Sequence, residues 1–243
     1  MLDFLGIGAQ KAGTTWIYEN LAKHPDIIFP NGKEVHFWDK INISNKTEID
    51  KYVESFSSEL SDNKDDKKQG EITPAYAFLD KEIIKEIYNI NPDLRIIYSI
   101  RNPIQRAWSG ALMALRRSEM TIDEASDNWF LDHFKSKGSL QRGDYEKCID
   151  NWNEVFPKEN FLIINFDDIA NNPREVLRKC ADHIGVSVEK INNIKDDILT
   201  TKIYSGLEHP NRPKLEKKLV KIYKNKIESG KNHPLLKDVF KDF

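Results

Sequence analysis

The sequence predicts an α/β fold, a three-layer sandwich with a central parallel sheet and a phosphate-binding loop. Three short apolar runs predict strands, at Phe4–Ala9, Arg95–Ile100 and Phe161–Phe166. Each run is followed by a turn signal and then by an amphipathic segment of helical length, which is typical of parallel strands joined by crossover helices. We therefore expect the three strands to be parallel neighbours. Glu71–Thr73, closed by Pro74, is a fourth and shorter candidate.

Six segments have the apolar periodicity of helices that pack on a core, and two of them begin with a proline at a first helical position, Pro173 and Pro213. The six are Thr15–Lys23, Asp80–Tyr88, Ile104–Arg117, Asp144–Val155, Pro173–Ile184 and Pro213–Glu228. The polar stretch Ser55–Gln69 predicts a loop or insertion. The acidic run from Glu48 to Glu71 is expected to face solvent without a special role.

Length and composition favour one domain over residues 1–243. Hydrophobic residues make up 39% of the chain, enough for one α/β core, and no repeat or linker divides it. The net charge of −2 argues against a general nucleic-acid binder, which needs a basic excess. Residues 202–243 are basic, which indicates a solvated helix face or, as the alternative, a surface that meets an anion.

The cysteine content and the distribution of apolar residues predict a soluble, cytoplasmic protein. Only Cys148 and Cys180 occur, in no metal-binding pattern, so we expect two free thiols and no zinc site. No apolar run approaches the length of a membrane span, and the first residues lack the features of a signal peptide. No membrane partner is expected, and nothing in the sequence specifies an oligomeric state.

The first predicted strand runs into a loop, Gly8–Trp16 (GAQKAGTTW), that has the character of a phosphate-binding loop. Gly8 and Gly13 allow a backbone in which successive N–H groups point into one concavity, and the N-terminus of the following helix adds partial positive charge. Lys11 supplies a mobile positive charge. The loop therefore predicts a phosphate site at the carboxyl end of the strand.

This loop departs at one position from the nucleoside-triphosphatase signature G-x-x-x-x-G-K-[ST]. Thr14 follows Gly13 where that signature has lysine, and the lysine of this chain lies inside the loop, at Lys11. The lysine–hydroxyl pair that serves the γ-phosphate and magnesium is missing, which disfavours metal-assisted phosphoryl transfer. The hydroxyls of Thr14 and Thr15 can still donate to phosphate oxygens.

A second candidate ligand site follows the strand Arg95–Ile100. Arg101 comes directly after this strand, at the edge where open parallel sheets bind ligands. Ser109 lies eight residues later, on the second turn of the next predicted helix. Both side chains can reach one phosphate from the same side. The alternative is a surface ion pair for Arg101 and an ordinary polar helix position for Ser109.

Together, Gln10–Trp16 (QKAGTTW) and Arg101–Ser109 (RNPIQRAWS) resemble the two cofactor signatures of the sulfotransferase family. The resemblance implies 3′-phosphoadenosine-5′-phosphosulfate (PAPS) as co-substrate and 3′-phosphoadenosine-5′-phosphate (PAP) as product, without a metal ion. It implies that Arg101 and Ser109 hold the 3′-phosphate. The 5′-phosphosulfate is then bound by residues of the first loop: Lys11, Ala12, Gly13, Thr14 and Thr15. Trp16 is the aromatic residue expected to touch the adenine or the acceptor.

A further segment resembles the branch that contains the heparan-sulfate sulfotransferases and their bacterial relatives. Lys33–Trp38 (KEVHFW) is similar to that branch's Lys-Glu-x-His-Phe segment, whose glutamate is its usual catalytic base. The resemblance therefore implies that Glu34 is the base. On an extended segment His36 projects the same way, so it either supports Glu34 or is the base itself. The alternative for Glu34 is an exposed ion pair with Lys33.

The resemblance covers residues 4 to about 210 and weakens towards its end. Ile72–Tyr76 (ITPAY) is similar to the branch's Thr/Ser-Pro-x-Tyr element. The branch commonly places a Lys-Gly-Arg-x-His loop over the nucleotide, whereas this chain reads SGLEH at residues 205–209. Gly206 and His209 fit that loop and are implied as cofactor contacts, but its two basic positions do not match. Lys202 or Arg212 can compensate for them.

The predicted function is transfer of a sulfuryl group from PAPS to an acceptor hydroxyl or amine by in-line displacement. Lys11 and the loop N–H groups are suited to stabilise the charge that develops on the leaving oxygen. A general base must take the acceptor's proton. The acceptor is expected to be a small molecule, a saccharide or a lipid. Arg116 and Arg117 either meet an anionic sugar or, as we favour, complement the C-terminus of their helix.

Two other classes of function stay open. A magnesium-dependent nucleotide or small-molecule kinase also needs a phosphate loop, but it predicts lysine after Gly13. A noncatalytic nucleotide-binding module accounts for both phosphate motifs, but it has no use for Glu34. Preference for PAP over ATP or AMP separates the first alternative from a sulfotransferase, and turnover excludes the second.

Overall fold

The structure, a computed structural model, describes residues 1–56, 67–201, 210–237, 239 and 240. Within these residues, five parallel strands form one sheet with the order β2-β3-β1-β4-β5. The strands are β1 (Leu2–Gly8), β2 (Ile27–Ile28), β3 (Lys68–Ile72), β4 (Arg95–Ile100) and β5 (Phe161–Asn165).

The sheet confirms the α/β class and the three expected neighbours, since β1, β4 and β5 lie side by side. Leu5 pairs with Ile96, and Ile97 pairs with Leu162, in parallel register. The carboxyl ends of these strands therefore meet at one edge of the sheet. The candidate strand at Glu71–Thr73 is part of β3, while β2 is too short to show a periodicity in the sequence.

Eleven α-helices connect and flank the strands in the described part of the chain: α1 (Thr14–Leu21), α2 (Lys46–Ser55), α3 (Lys81–Ile90), α4 (Pro103–Arg117), α5 (Asp127–Lys135), α6 (Lys137–Arg142), α7 (Tyr145–Asn153), α8 (Phe166–Asn171), α9 (Pro173–Ile184), α10 (Asp196–Thr200) and α11 (Pro213–Asn232). A 3-10 helix, Pro74–Phe78, follows β3. All six predicted helices are present, with ends displaced by a few residues at most.

The helices cover both faces of the sheet and form two apolar cores. On one face Leu5 and Ile96 pack with buried residues of α4, α7 and α11. On the other face Phe4 and Ile97 pack with α1 and α9. Successive side chains of a strand point to opposite faces, so a nearly continuous apolar strand contributes to both cores. The three predicted layers are therefore confirmed.

The region between α2 and β3 corrects two expectations. Ser55 ends α2, and Lys68 and Gln69 begin β3, so the predicted loop is wrong at both ends; residues 57–66 lie outside the described residues. Glu71, expected to face solvent with the acidic run, is fully buried in β3. Its burial follows from the pairing of β3 with β1 and β2, a tertiary contact that a polar sequence does not reveal.

The last described helix buries an apolar stripe that includes Leu215, Leu219 and Tyr223 and exposes most of its lysines, in agreement with a solvated helix face. Cys148 and Cys180 are buried free thiols, as predicted. Among the helices that the structure describes, none is long and apolar enough to cross a membrane.

Candidate active site

The predicted phosphate loop is a tight turn between β1 and α1, at the carboxyl edge of the sheet. Gly8, Lys11 and Gly13 have positive φ angles of 142°, 69° and 85°. A Cβ atom on Gly13 would lie 2.5 Å from Cδ1 of Ile169, so glycine alone fits both the backbone and the space at this position.

The start of α1 leaves backbone donors available to an anion. The N–H of Ile17 donates to the Gly13 carbonyl at 3.1 Å, which is the first helical hydrogen bond. In the described residues no hydrogen bond takes up the N–H groups of Thr14, Thr15 or Trp16. These groups lie at the positive end of the helix dipole, so the loop can bind a phosphate through its backbone.

Contacts to β4 fix the loop on the sheet. The Ala9 N–H donates to the Ser99 carbonyl at 2.6 Å, and the Ser99 hydroxyl donates to the Ala12 carbonyl. The phosphate loop and the end of β4 therefore form one rigid unit.

Lys11 lies in a group of like charges. Burial lowers the pKa of Lys11, and the charges of Arg101, Arg117 and Arg116 lower it further, while Glu34 raises it. The interpretation of Arg116 and Arg117 as helix-end charges is therefore incomplete, because both also act on Lys11. Four cationic groups this close to one another favour a bound anion, which removes their mutual repulsion.

Arg101 contacts the phosphate loop directly. Its Nη1 donates to the Lys11 carbonyl at 3.4 Å, and its guanidinium lies 4.2 Å from the ring centroid of Phe166. None of the ion pairs among the described residues involves Arg101, which counts against the surface ion-pair alternative. Ser109 lies on the second turn of α4, partly buried. The structure thus brings Lys11 and Arg101 to one edge, as expected.

The segment that carries Glu34 and His36 belongs to no strand or helix, and it corrects the expectation of an extended segment. Glu34 and His36 have positive φ angles of 60° and 58°, so they do not project the same way from an extended chain. The Glu34 N–H donates to the Ile72 carbonyl at 3.0 Å, which holds the turned segment beside β3. This long-range hydrogen bond is the physical reason for the difference.

Glu34 pairs with Lys33 and its side chain is 46% exposed, the arrangement that the sequence left open as an alternative. Glu34 is nevertheless the carboxylate whose charge acts most strongly on Lys11. Its carboxylate therefore lies within electrostatic reach of the phosphate loop.

Asp39 is a candidate functional residue that the sequence reasoning missed. His36 Nδ1 lies 2.8 Å from Asp39 Oδ2. A carboxylate in this position can accept a hydrogen bond from Nδ1 and orient the imidazole, which leaves Nε2 for a reacting group. An acid three residues after a candidate histidine was the signal that could have identified it.

The structure describes two of the remaining candidate residues, Trp16 and Arg212. Trp16 is 7% exposed, and its indole N–H donates to the Leu199 carbonyl at 2.9 Å, so its contact with adenine or acceptor stays a prediction. Gly206, His209 and Lys202 lie outside the described residues. Arg212 pairs with Asp127 of α5 at 2.8 Å, so a compensating contact to the nucleotide stays a prediction.

A basic cavity of about 170 Å³ adjoins the loop at Gln10. Its lining includes Arg106, Arg117, His133 and Arg142, and it contains no carboxylate among the residues that the structure describes. Burial lowers the pKa of His133 and of Arg142, and the charge of Arg106 lowers both further. The cavity therefore suits an anionic group. No cluster of His, Cys, Asp and Glu in the described ranges is arranged to hold a metal ion.

Sequence comparison relates this chain to enzymes that modify heparan sulfate. It is 26% identical over 183 residues to heparan sulfate glucosamine 3-O-sulfotransferase 6 of Mus musculus, covering 74% of this chain and 51% of that protein. It is 26% identical over 209 residues to heparan sulfate glucosamine 3-O-sulfotransferase 5 of Mus musculus, covering 82% and 55%. The chain thus spans about half the length of these curated relatives.

Solved structures share the fold. A sulfotransferase from Alicyclobacillus acidocaldarius superimposes with a TM-score of 0.67 at 22% identity, covering 94% of this chain and 93% of that one. The mouse sulfotransferase SULT7A1 complexed with PAP gives a TM-score of 0.62 at 17% identity, covering 100% and 89%. The family model described as the sulfotransferase domain matches residues 2–235, nearly the whole chain. The chain therefore belongs to the sulfotransferase domain family.

Proposed function

We propose that this chain transfers a sulfuryl group from PAPS to a hydroxyl or amine of an acceptor. One observation carries the proposal: a single sheet edge brings together the N–H groups of the loop, the cationic groups Lys11 and Arg101, and the carboxylate Glu34. PAPS supplies the sulfuryl group and a phosphate that leaves with negative charge. The loop N–H groups and Lys11 can stabilise that charge, and the Glu34 carboxylate can accept the acceptor's proton.

The residues present fit the nucleotide. The free N–H groups of Thr14 and Thr15, together with Lys11, match the oxygens of a 5′-phosphosulfate. We assign the 3′-phosphate to Arg101 and Ser109; in support, Arg101 directly follows β4 and donates to the Lys11 carbonyl of the loop, and Ser109 lies on the helix that begins two residues after Arg101. The repulsion within the cation group is relieved when these phosphates are bound.

In the proposed reaction, the acceptor oxygen or nitrogen attacks sulfur in line with the leaving phosphate oxygen, and the bond from sulfur to that oxygen breaks. Glu34 takes the proton that the acceptor loses. Lys11 and the N–H groups of the loop stabilise the charge left on the phosphate. His36, oriented by Asp39, lies on the same segment and donates or accepts a hydrogen bond at the acceptor through Nε2.

The acceptor that the site supports best is a saccharide with an anionic group. The related enzymes named above act, by their names, on glucosamine units of heparan sulfate. The basic cavity beside Gln10 provides Arg117 and Arg142 for a negatively charged substituent of such a sugar.

The test is titration calorimetry with PAP and ADP, followed by turnover of radiolabelled PAPS on glucosamine 6-sulfate and glucosamine. We expect PAP to bind more tightly than ADP by roughly tenfold or more, because only PAP presents a 3′-phosphate to Arg101. Turnover should not change when EDTA replaces magnesium, and the sulfated sugar should be the better acceptor. Preference for ADP together with a magnesium requirement would support the kinase alternative. PAP binding without turnover on any acceptor would support the noncatalytic module.

A further inference from the structure

A buried group of polar side chains lies behind the segment that carries Glu34 and His36. Glu71 of β3 and Tyr76 of the 3-10 helix have no exposed surface, and Tyr52 of α2 is 6% exposed. Glu71 has no cationic partner among the ion pairs of the described residues. Burial of a carboxyl without a cation is costly, so packing alone does not account for a glutamate at this position.

Tyr76 connects Glu71 to the active-site segment. Its phenolic oxygen accepts hydrogen bonds from the backbone N–H groups of Phe37 at 3.0 Å and Trp38 at 3.3 Å. Burial raises the pKa of Tyr76 well above its ordinary value, and the charge and hydrogen bond of Glu71 raise it further, so the hydroxyl keeps its proton. A phenol that accepts two N–H groups has one proton left to donate, and Glu71 is the buried carboxyl whose charge acts on it.

The pKa of Glu71 lies near neutral pH. Burial raises its pKa from 4.5 to about 7, against the hydroxyls of Tyr76, Tyr52 and Thr73, which favour the carboxylate. The Thr73 hydroxyl donates to Oε1 at 3.2 Å. The negative charge of Asp39, the partner of His36, raises the pKa of Glu71 as well. The groups that face Glu71 from the surrounding elements are therefore three hydroxyls and one carboxylate.

Two carboxylate oxygens in this region also lack hydrogen-bond partners within the described residues, Glu71 Oε2 and Asp39 Oδ1, and both are buried. Each has one oxygen engaged, by Thr73 and by His36 respectively. The two carboxyls thus act on each other electrostatically while each is held on one side only. A change in the charge of Glu71 therefore acts electrostatically on Asp39, which contacts His36.

We infer that Tyr76 and Glu71 are positioning residues for the proposed sulfuryl transfer. Tyr76 holds the backbone N–H groups of Phe37 and Trp38 and so fixes the segment that carries Glu34, His36 and Asp39, and Glu71 is the carboxyl buried in the same polar group. An ionised carboxylate is the strongest available acceptor for the Tyr76 proton, and it turns the phenolic lone pairs towards the two N–H groups. The kinetic consequences rest on the proposed function. The placement of His36 depends only on residues of this chain.

The kinetic test uses Tyr76→Phe and Glu71→Gln, with Tyr98→Phe as the matched control. Tyr98 is a buried tyrosine of the same apolar core and lies outside the polar group described above. We expect Tyr76→Phe to lower kcat by about tenfold or more while PAP affinity stays within about twofold, because nucleotide contacts are untouched. The control should keep wild-type kcat. Equal losses of kcat and PAP affinity would indicate a general structural role and would overturn the inference.

The pH dependence of kcat distinguishes an effect of the charge of Glu71 from an effect of the shape of its side chain. In the wild type, kcat should rise as the pH passes about 7, where Glu71 ionises, and Glu71→Gln should lose this step because glutamine accepts a hydrogen bond without titrating. The effect of Glu71 on the stability of the fold changes with pH in the opposite direction to its effect on kcat. Since the folded pKa is raised from 4.5 to about 7, stability from Glu71 is present below pH 4.5 and is lost as the pH rises through 7. Glu71→Gln should remove that loss.

A measurement without substrate distinguishes failure of this inference from failure of the proposed function. The NMR signals of the His36 imidazole in the free protein report its surroundings, and they should shift in Tyr76→Phe and in Glu71→Gln but not in Tyr98→Phe. If turnover is never found yet these signals move in the two variants, the positioning holds and the proposed function fails. Unchanged His36 signals in a folded Glu71→Gln protein would overturn the inference, whatever the result for Tyr76→Phe.

Discussion

The two sides of the candidate active site are built in different ways. On the side proposed to bind the nucleotide, called the nucleotide side below, each set of residues comes after a strand: residues 10–16 follow β1 and residues 101–109 follow β4. On the side proposed to bind the acceptor, called the acceptor side, the segment with Glu34 and His36 has no regular structure and is held by β3 and the 3-10 helix, through the Ile72 carbonyl and the Tyr76 hydroxyl.

The difference lies in what fixes each geometry. On the nucleotide side, each set of residues takes its place from the strand it follows and the helix it leads into, and contacts between the loop and β4 join the two sets. On the acceptor side, no strand or helix carries the segment, and the positive φ angles of Glu34 and His36 persist only because distant contacts enforce them. Substitutions on the acceptor side should therefore change turnover and leave nucleotide affinity intact, whereas Lys11 of the phosphate loop serves both.

The largest expected effect is on the acceptor side. Glu34→Gln keeps the shape of the side chain but cannot take the acceptor's proton, so turnover should fall by about 10² to 10⁴ while PAP affinity barely changes. Steady-state turnover and PAP calorimetry measure both. Glu154→Gln, another exposed glutamate paired with a lysine, is the matched control and should behave as wild type. Lys11→Ala should instead reduce both turnover and affinity.

Near-normal turnover in Glu34→Gln with a large loss in His36→Ala would move the base to His36 and its partner Asp39. The acceptor side would then be organised around the imidazole and not around Glu34. Normal turnover in both variants would remove proton transfer by this segment from the mechanism.

A smaller effect is expected on the nucleotide side. Arg101→Ala should weaken PAP binding by roughly tenfold or more and leave ADP binding nearly unchanged, because a guanidinium forms charge-assisted hydrogen bonds with the 3′-phosphate. Calorimetry with both nucleotides measures the selectivity. Arg95→Ala is the control, since Arg95 lies at the opposite end of the same strand. Equal losses for PAP and ADP would contradict the assignment.

The smallest expected effect tests whether the helix cap next to Arg101 contributes to nucleotide selectivity. The Asn102 side chain accepts the N–H groups of Ile104 and Gln105 at 3.0 and 3.2 Å and so caps α4. Asn102→Ala should cost about 1 kcal/mol in the free energy of unfolding, measured by denaturant titration. Asn45→Ala, which removes a similar cap from α2, should cost about the same. Only the Asn102 variant should also lose part of the selectivity for PAP over ADP; loss in both would disprove local control.

The sequence alone predicts the nucleotide side and little of the acceptor side. Gly13 and Lys11 are recognisable because a phosphate loop requires them at a fixed spacing after a strand, and Arg101 because it ends the next parallel strand. Glu34 and His36 were identified by resemblance, but their backbone conformation follows from contacts with Ile72 and Tyr76 that no local pattern encodes.

Two further residues have properties that the sequence does not reveal. Glu71 lies in an acidic run that has the composition of a solvent-exposed loop, and only the pairing of β3 with β1 shows that it is buried. Arg117 fits the C-terminus of a helix equally well with or without a neighbouring anion site, because the helix dipole favours a cation there in either case. Its effect on Lys11 is a property of the assembled sheet edge.

One rigid helix connects the two sides. Helix α4 carries Ser109 on its second turn and Arg117 at its end, eight residues apart, which at a rise of 1.5 Å per residue corresponds to about 12 Å along the axis. If Ser109 binds the nucleotide and Arg117 binds the anionic group of the acceptor, the helix holds that group at a fixed place relative to the bound nucleotide. The hydroxyl that reaches the sulfur is then determined by its distance from the anionic group, and sugars that bear their charge elsewhere present a different hydroxyl or none.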